Sequence, residues 1–136
     1  MTQSLFEKNL DDVTEIREAP AGKYVGTIAS TRRTTKDNGS ELISLGFKIK
    51  EPVDEVDLTG VNLNRYVYKT LVVTEASFPY VKKELKEAGL DLSGSSLKEV
   101  LSNLEGADTE FTVAADEYAK KIGNGYRAAV TRFKVA

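Results

Sequence analysis

Cations and tyrosines recur together in three stretches of this chain. Arg32, Arg33 and Lys36 crowd one turn. Arg65, Tyr66, Tyr68 and Lys69 share a stretch rich in β-formers. Tyr118, Lys120, Lys121, Tyr126 and Arg127 surround a glycine-rich loop, and Lys48 stands among residues that alternate in polarity. A guanidinium or ammonium group neutralises phosphate, and a phenol ring offers a face on which a flat base stacks. Interleaved, the two grip a single nucleic-acid strand without reading its sequence.

Other chemistries are poorly supplied. The 136 residues include no His and no Cys, so a Ser-His-Asp triad, His-ligated zinc, a thiolate metal site and a thiol nucleophile are all excluded. The carboxylates, lysines and tyrosines that remain show no catalytic spacing, so the expectation is a protein that is not an enzyme and needs no cofactor or metal. The acidic stretch 51–57 lacks the ligand spacing of a calcium loop. No apolar run approaches the roughly 18 residues of a membrane span, so no membrane partner is expected. The polar, acidic first twelve residues do not read as a secretory signal. With no Cys, the composition fits the cytoplasm.

The formal charge of −2 is small, but its distribution is uneven. Glu7, Asp11, Asp12, Glu15 and Glu18 make the first eighteen residues acidic on balance. Residues 120–136 carry Lys120, Lys121, Arg127, Arg132 and Lys134 with no acid. A near-neutral chain of this kind can still present a basic surface.

The elements that must position these groups are legible from periodicity. Residues 23–36 and 41–50 read as two strands joined by a turn at Asp37-Asn38-Gly39. In the second, Ile43, Leu45, Phe47 and Ile49 form a dry face, and Ser44, Gly46, Lys48 and Lys50 a wet one. Gly26, inside a long first strand, marks a bulge or a sharp coil of the strand. Gly46, with no side chain, is expected to leave the floor of a groove open to a bound strand. A third strand is expected over 62–73, with Tyr66 and Tyr68 on its polar face. Arg65 and Lys69 fall on its apolar parity, which calls for a bulge or an exposed end. Ser77, Pro79, Val81, Leu85 and Ala88 then mark a helix with Ser77 as N-cap. Ser96 to Glu99 is a capping box opening a second one. Lys82, Lys83 and Lys86, alternating with Glu84 and Glu87, give the first helix a solvated face. Strands over 110–117 and 125–135 complete the chain, with Tyr24, Phe47, Phe111 and Phe133 as core.

Three strands, two short helices and a final hairpin argue for a small, mostly antiparallel sheet. Five such strands suit the OB-fold, a Greek-key, partly open barrel, here with a helical insert between strands three and four. Its binding surface is the face of strands two and three with the loops joining strands one–two and four–five, where the three basic–aromatic stretches fall. Residues 1–20 read as an acidic arm and 21–136 as the OB-fold domain.

Residues 20–136 resemble a family, the bacteriophage single-stranded-DNA-binding proteins of the OB-fold type. The resemblance lies in Ala21-Gly22-Lys23-Tyr24-Val25 leading into a basic strand end, in Asn38-Gly39-Ser40-Glu41, in Ala88-Gly89-Leu90 and in Asn124-Gly125-Tyr126-Arg127-Ala128-Ala129-Val130. It implies sequence-tolerant binding of single-stranded DNA in phage replication, recombination or repair, in the host-cell cytoplasm, beside replication or recombination proteins. Many such proteins end in an acidic tail; here the last residues are Arg132-Phe133-Lys134-Val135-Ala136 and the acidic segment comes first. Duplex DNA and RNA remain alternative ligands. A different class of reading is an OB-like protein-interaction or structural module, and sheet edges leave room for a homodimer.

Overall fold

In a computed structural model, the structure describes residues 5–7, 9–12, 17–116, 121–123 and 126–136. Among them the chain is mostly β: strands β1 (Gly22–Thr35), β2 (Glu41–Pro52) and β3 (Val67–Val73), helices α1 (Phe78–Glu87) and α2 (Leu97–Leu104), then strands β4 (Asp108–Ala115) and β5 (Ala128–Val135). The strands form one antiparallel sheet in the order β3-β2-β1-β4-β5. No ladder among the described residues joins β3 to β5, so the sheet is not closed into a barrel. The two edge strands nonetheless lie side by side. Both helices fall between β3 and β4, as expected. No helix is long and apolar enough to cross a membrane, and no cluster of metal-ligating side chains is found, among the described residues.

The strongly alternating β2 lies near the centre of the core. Ile43, Leu45, Phe47 and Ile49 are buried, together with Tyr24 and Ile28 of β1, Phe111 and Val113 of β4, and Val130 and Phe133 of β5. The Phe47 ring lies 4.9 Å from Phe111 and 5.5 Å from Phe133, so one side chain ties the middle of the sheet to its far strands. Val81, Leu85 and Ala88 at α1 and Val100 and Leu104 of α2 close the end of this core. Ser96 caps α2 through the Glu99 N–H, as its capping box predicts. Ser77 precedes α1 but its side chain does not cap it: the hydroxyl donates to the Val72 carbonyl and accepts from the Thr74 N–H, so it builds the turn between β3 and α1.

Two departures from strict alternation shape the first hairpin. Its register shifts between Val25 and Gly26, where a β-carbon on Gly26 would lie 1.9 Å from the Lys48 carbonyl oxygen. Only glycine permits that approach, which accounts for the bulge expected there. A second shift, between Ile28 and Ser30, leaves Ala29 as an extra residue. Its effect is large, because one inserted residue exchanges the faces of everything beyond it. Ile28 opposes the core residue Phe47. Past the bulge Ser30 opposes Gly46 and Arg32 opposes Ser44, both on the outer face, while Arg33 opposes the core residue Ile43.

The third strand is shorter than its β-former content suggests. Residues 62–65 form a turn, in which the Asn62 side chain accepts from the Asn64 N–H and the Asn62 carbonyl from the Arg65 N–H. Asn thereby satisfies locally the backbone groups a ladder would use. Arg65 and Tyr66 consequently stand just before β3 and not on it. At the hairpin tip Gly39 takes a positive φ of 85° while its N–H donates to the Lys36 carbonyl, and Asn38 braces the turn by accepting from the Ser40 N–H. The edge of β1 beyond residue 28 is unpaired, since β4 covers only its first half. Arg32 and Arg33 sit on this open edge, where charge discourages edge-to-edge association.

Candidate nucleic-acid interface

The outer face of β1, β2 and β3 carries cross-strand rows fixed by register. Ser30, Gly46 and Tyr68 form one row; Arg32, Ser44 and Thr70 form the next; Thr27 and Lys48 pair on the other side. At Gly46 a β-carbon would meet the Ser30 Oγ at 2.5 Å and the rings of Tyr66 and Tyr68 at 3.2 Å each. Both tyrosines therefore lean over the glycine. Their centroids are 6.4 Å apart and their planes meet at 64°, the edge-to-face geometry aromatic pairs favour. Tyr68 keeps 49% of its surface exposed. The space above Gly46 is thus not an open groove floor, as the sequence suggested, but a seat for two rings. The platform a base would meet is the tyrosine pair.

Cations flank this pair unevenly. Arg32 and Lys48 are exposed on the same outer face, and Lys36 is exposed at the tip. Arg33 points to the other side and is paired with Glu41 through two of its guanidinium nitrogens. The two adjacent arginines thus occupy different environments, and Arg32 is the one on the face that carries the tyrosines. Arg65 is exposed in the turn before β3, where it lines a small cavity of about 110 Å³ with Arg17, Asn62, Tyr66 and Tyr68.

Lys69 departs from the sequence expectation. It opposes Leu45 on the inner side, its side chain is only 12% exposed, and its ammonium lies 2.5 Å from a Glu84 carboxylate oxygen of α1. The same ammonium donates to the Thr131 carbonyl at 3.2 Å. Lys69 bridges β3, β5 and α1 at the seam where no ladder closes the sheet. A lysine tolerates this apolar parity because the burial of its charge is compensated by an opposite charge and a hydrogen bond.

Of the predicted residues around the last loop, Tyr118 and Lys120 lie outside the described residues. Lys121 is exposed. Tyr126 and Arg127 are engaged by the segment just before β1. The Tyr126 hydroxyl donates to the Ala19 carbonyl at 2.7 Å, and Arg127 lies 3.6 Å from the Glu18 carboxylate. Neither role was apparent from sequence, because the partners are more than 100 residues away.

Residues 17–20 are in fact a strap built into the body. The Arg17 N–H donates to the Gly60 carbonyl at 2.9 Å, and its guanidinium donates to the Thr59 carbonyl at 2.9 Å. Ala19 is buried, and the Pro20 carbonyl accepts from the Tyr24 hydroxyl at 2.6 Å. Burial first, and then the charge of Tyr126, push the Tyr24 phenol above its ordinary value of 10.0; burial and then the Glu18 carboxylate do the same for Tyr126. Both phenols stay protonated in the folded chain after the unfolded chain has begun to ionise. The unfolded state then binds fewer protons, so stability falls as pH rises. Thermal melts are expected to be flat on this account below about pH 10 and to decline as pH climbs through the folded-state values. The Tyr24→Phe/Tyr126→Phe variant is expected to lose most of that alkaline slope; an unchanged slope would exclude the two phenols as its source.

The face therefore gathers Arg32, Lys48, Arg65, Tyr66 and Tyr68, leaves Lys36 at the hairpin tip, sets Arg33 and Lys69 apart from them, and ties Tyr126 and Arg127 to the strap. Compared with known proteins, the chain matches no family model and no curated protein.

Proposed function

We propose that this protein binds single-stranded DNA with little sequence preference across the outer face of β1, β2 and β3, and protects it during phage DNA replication, recombination or repair. One observation carries the reading: a tyrosine pair is seated edge to face over a side-chain-free position and flanked by exposed Arg32, Lys48 and Arg65. Rings that stack on any base and cations that follow phosphate are the requirements of sequence-tolerant binding. The fold is read as an OB-fold. That reading is supported by the strand order, by β5 returning alongside β3, and by the helices inserted between β3 and β4. The protein would act in the host-cell cytoplasm, without catalysis, beside replication or recombination proteins.

Fluorescence anisotropy with labelled oligo-dT at rising salt tests the proposal. Affinity is expected to fall with a log–log slope of about −0.7 per neutralised phosphate, with duplex DNA competing poorly. Absence of binding even at low salt would refute it, and equal competition by an RNA oligomer would broaden the ligand to single strands of either kind.

A further inference from the structure

The sequence presents α1 as a helix of balanced charge, and the tertiary structure changes that balance. Glu84, the acid between Lys83 and Lys86, is committed to Lys69 of β3. Lys82, Lys83 and Lys86 are exposed and make no ion pair among the described residues, which leaves Glu87 as the uncompensated acid on that face. Beside them, β5 presents exposed Arg132, which likewise has no ion pair among the described residues, and Lys134, which faces Glu110 in the ladder. Tyr80 and Lys83 of α1 and Arg132 and Lys134 of β5 line one groove of about 590 Å³, together with Glu84 and Glu87. Tyr80 is 74% exposed and contributes nothing to the core. An exposed phenol beside uncompensated cations repeats, outside the tyrosine face, the chemistry that single strands require.

The two surfaces border the same seam between β3 and β5. Lys69 reaches Thr131 across the open seam, so the outer-face residues next along, Thr70 on β3 and Arg132 on β5, flank that seam. A strand that crossed the seam from Thr70 to Arg132 would come to the groove that Tyr80 and Lys83 line.

We infer that the α1–β5 groove is a second binding track for the same single strand: Lys83 and Arg132 hold its phosphates and Tyr80 stacks one of its bases. The track rests on the single-strand reading above and extends it from a patch to a path. Its groups are reached only by a strand longer than the tyrosine face.

Length dependence tests it. Oligo-dT of about 5 nucleotides, enough for the tyrosine face, and of about 16, the upper range for one such domain, are titrated against the whole chain, the Lys83→Gln/Arg132→Gln variant and the Tyr80→Ala variant. These side chains are exposed, so melting temperatures are expected to match that of the unaltered chain. For the long oligomer, Lys83→Gln/Arg132→Gln is expected to bind about tenfold or more weakly, with the salt slope shallower by about 0.7 for each phosphate no longer neutralised. Tyr80→Ala is expected to weaken the long oligomer with its slope unchanged. The short oligomer is expected to bind all three proteins alike. If the long oligomer binds all three with one affinity and one slope, the second track is wrong and the tyrosine face stands. Equal weakening at both lengths also overturns the track. If the unaltered chain binds neither oligomer, both readings fall.

Discussion

Replacing Tyr66 and Tyr68 together by Ala is expected to weaken oligo-dT binding by about 2–6 kcal/mol, at roughly 1–3 kcal/mol per stacked base. Even the lower bound is a loss of about 30-fold in affinity. The rings lie over Gly46 on the outer face, and Tyr68 is largely open to solvent, so the fold is expected to survive their loss. The Tyr66→Phe/Tyr68→Phe variant keeps both π-faces and is expected to retain most of the affinity. Gly46→Ala separates stacking from the mere presence of the rings. It leaves both tyrosines in the chain but puts a methyl group 2.5 Å from the Ser30 hydroxyl, which must turn away, and 3.2 Å from each ring, which must give by a few tenths of an ångström. An intermediate loss of affinity is expected. Anisotropy titrations give all three values, and undiminished binding by the double Ala variant would remove the tyrosine pair from the site.

The largest expected effect on stability is at Phe47. It is fully buried, packs against Phe111 and Phe133, and lies on the strand between β1 and β3 in the sheet. Phe47→Ala is expected to cost about 3–5 kcal/mol, the lost transfer energy of the ring plus the cavity it leaves. Against the roughly 5–15 kcal/mol that hold a domain together, that is a large share of the total. Urea denaturation at constant slope gives the number. Phe47→Leu, which keeps much of the volume, is expected to cost clearly less. Because Phe47 faces the core and the tyrosines face out, oligo-dT affinity measured well below the variant's melting temperature is expected to change little. A large loss of affinity at unchanged stability would mean that the two faces are not independent.

Period-2 alternation in β2 identified Ile43, Leu45, Phe47 and Ile49 as core, because a side-chain period of two is a local property of an extended backbone. The helical stripes of α1 and α2, the cap at Ser96 and the irregularity at Gly26 were legible for the same reason. The start of β3 was not. Its β-formers extend back to Leu63, but the side chain of Asn62 diverts the backbone into a turn first, and a competition between two local preferences is not decided by either alone.

The class of structure and the chemical inventory follow from the order of residues: a mostly β chain with a Phe-centred core, no His or Cys, and cations gathered near tyrosines. Which of those groups meet depends on how the chain folds back on itself. The extra residue at Ala29 turns Arg32 toward the tyrosines and Arg33 toward Glu41. Lys69 is drawn into the seam by Glu84 and Thr131. Tyr126 and Arg127 are held by residues 18–19, and the commitment of Glu84 to Lys69 leaves α1 a basic face. A bulge shifts every face beyond it by one residue, and an ion pair joins residues far apart in the chain. Neither leaves a mark in the local pattern from which strands and helices are read.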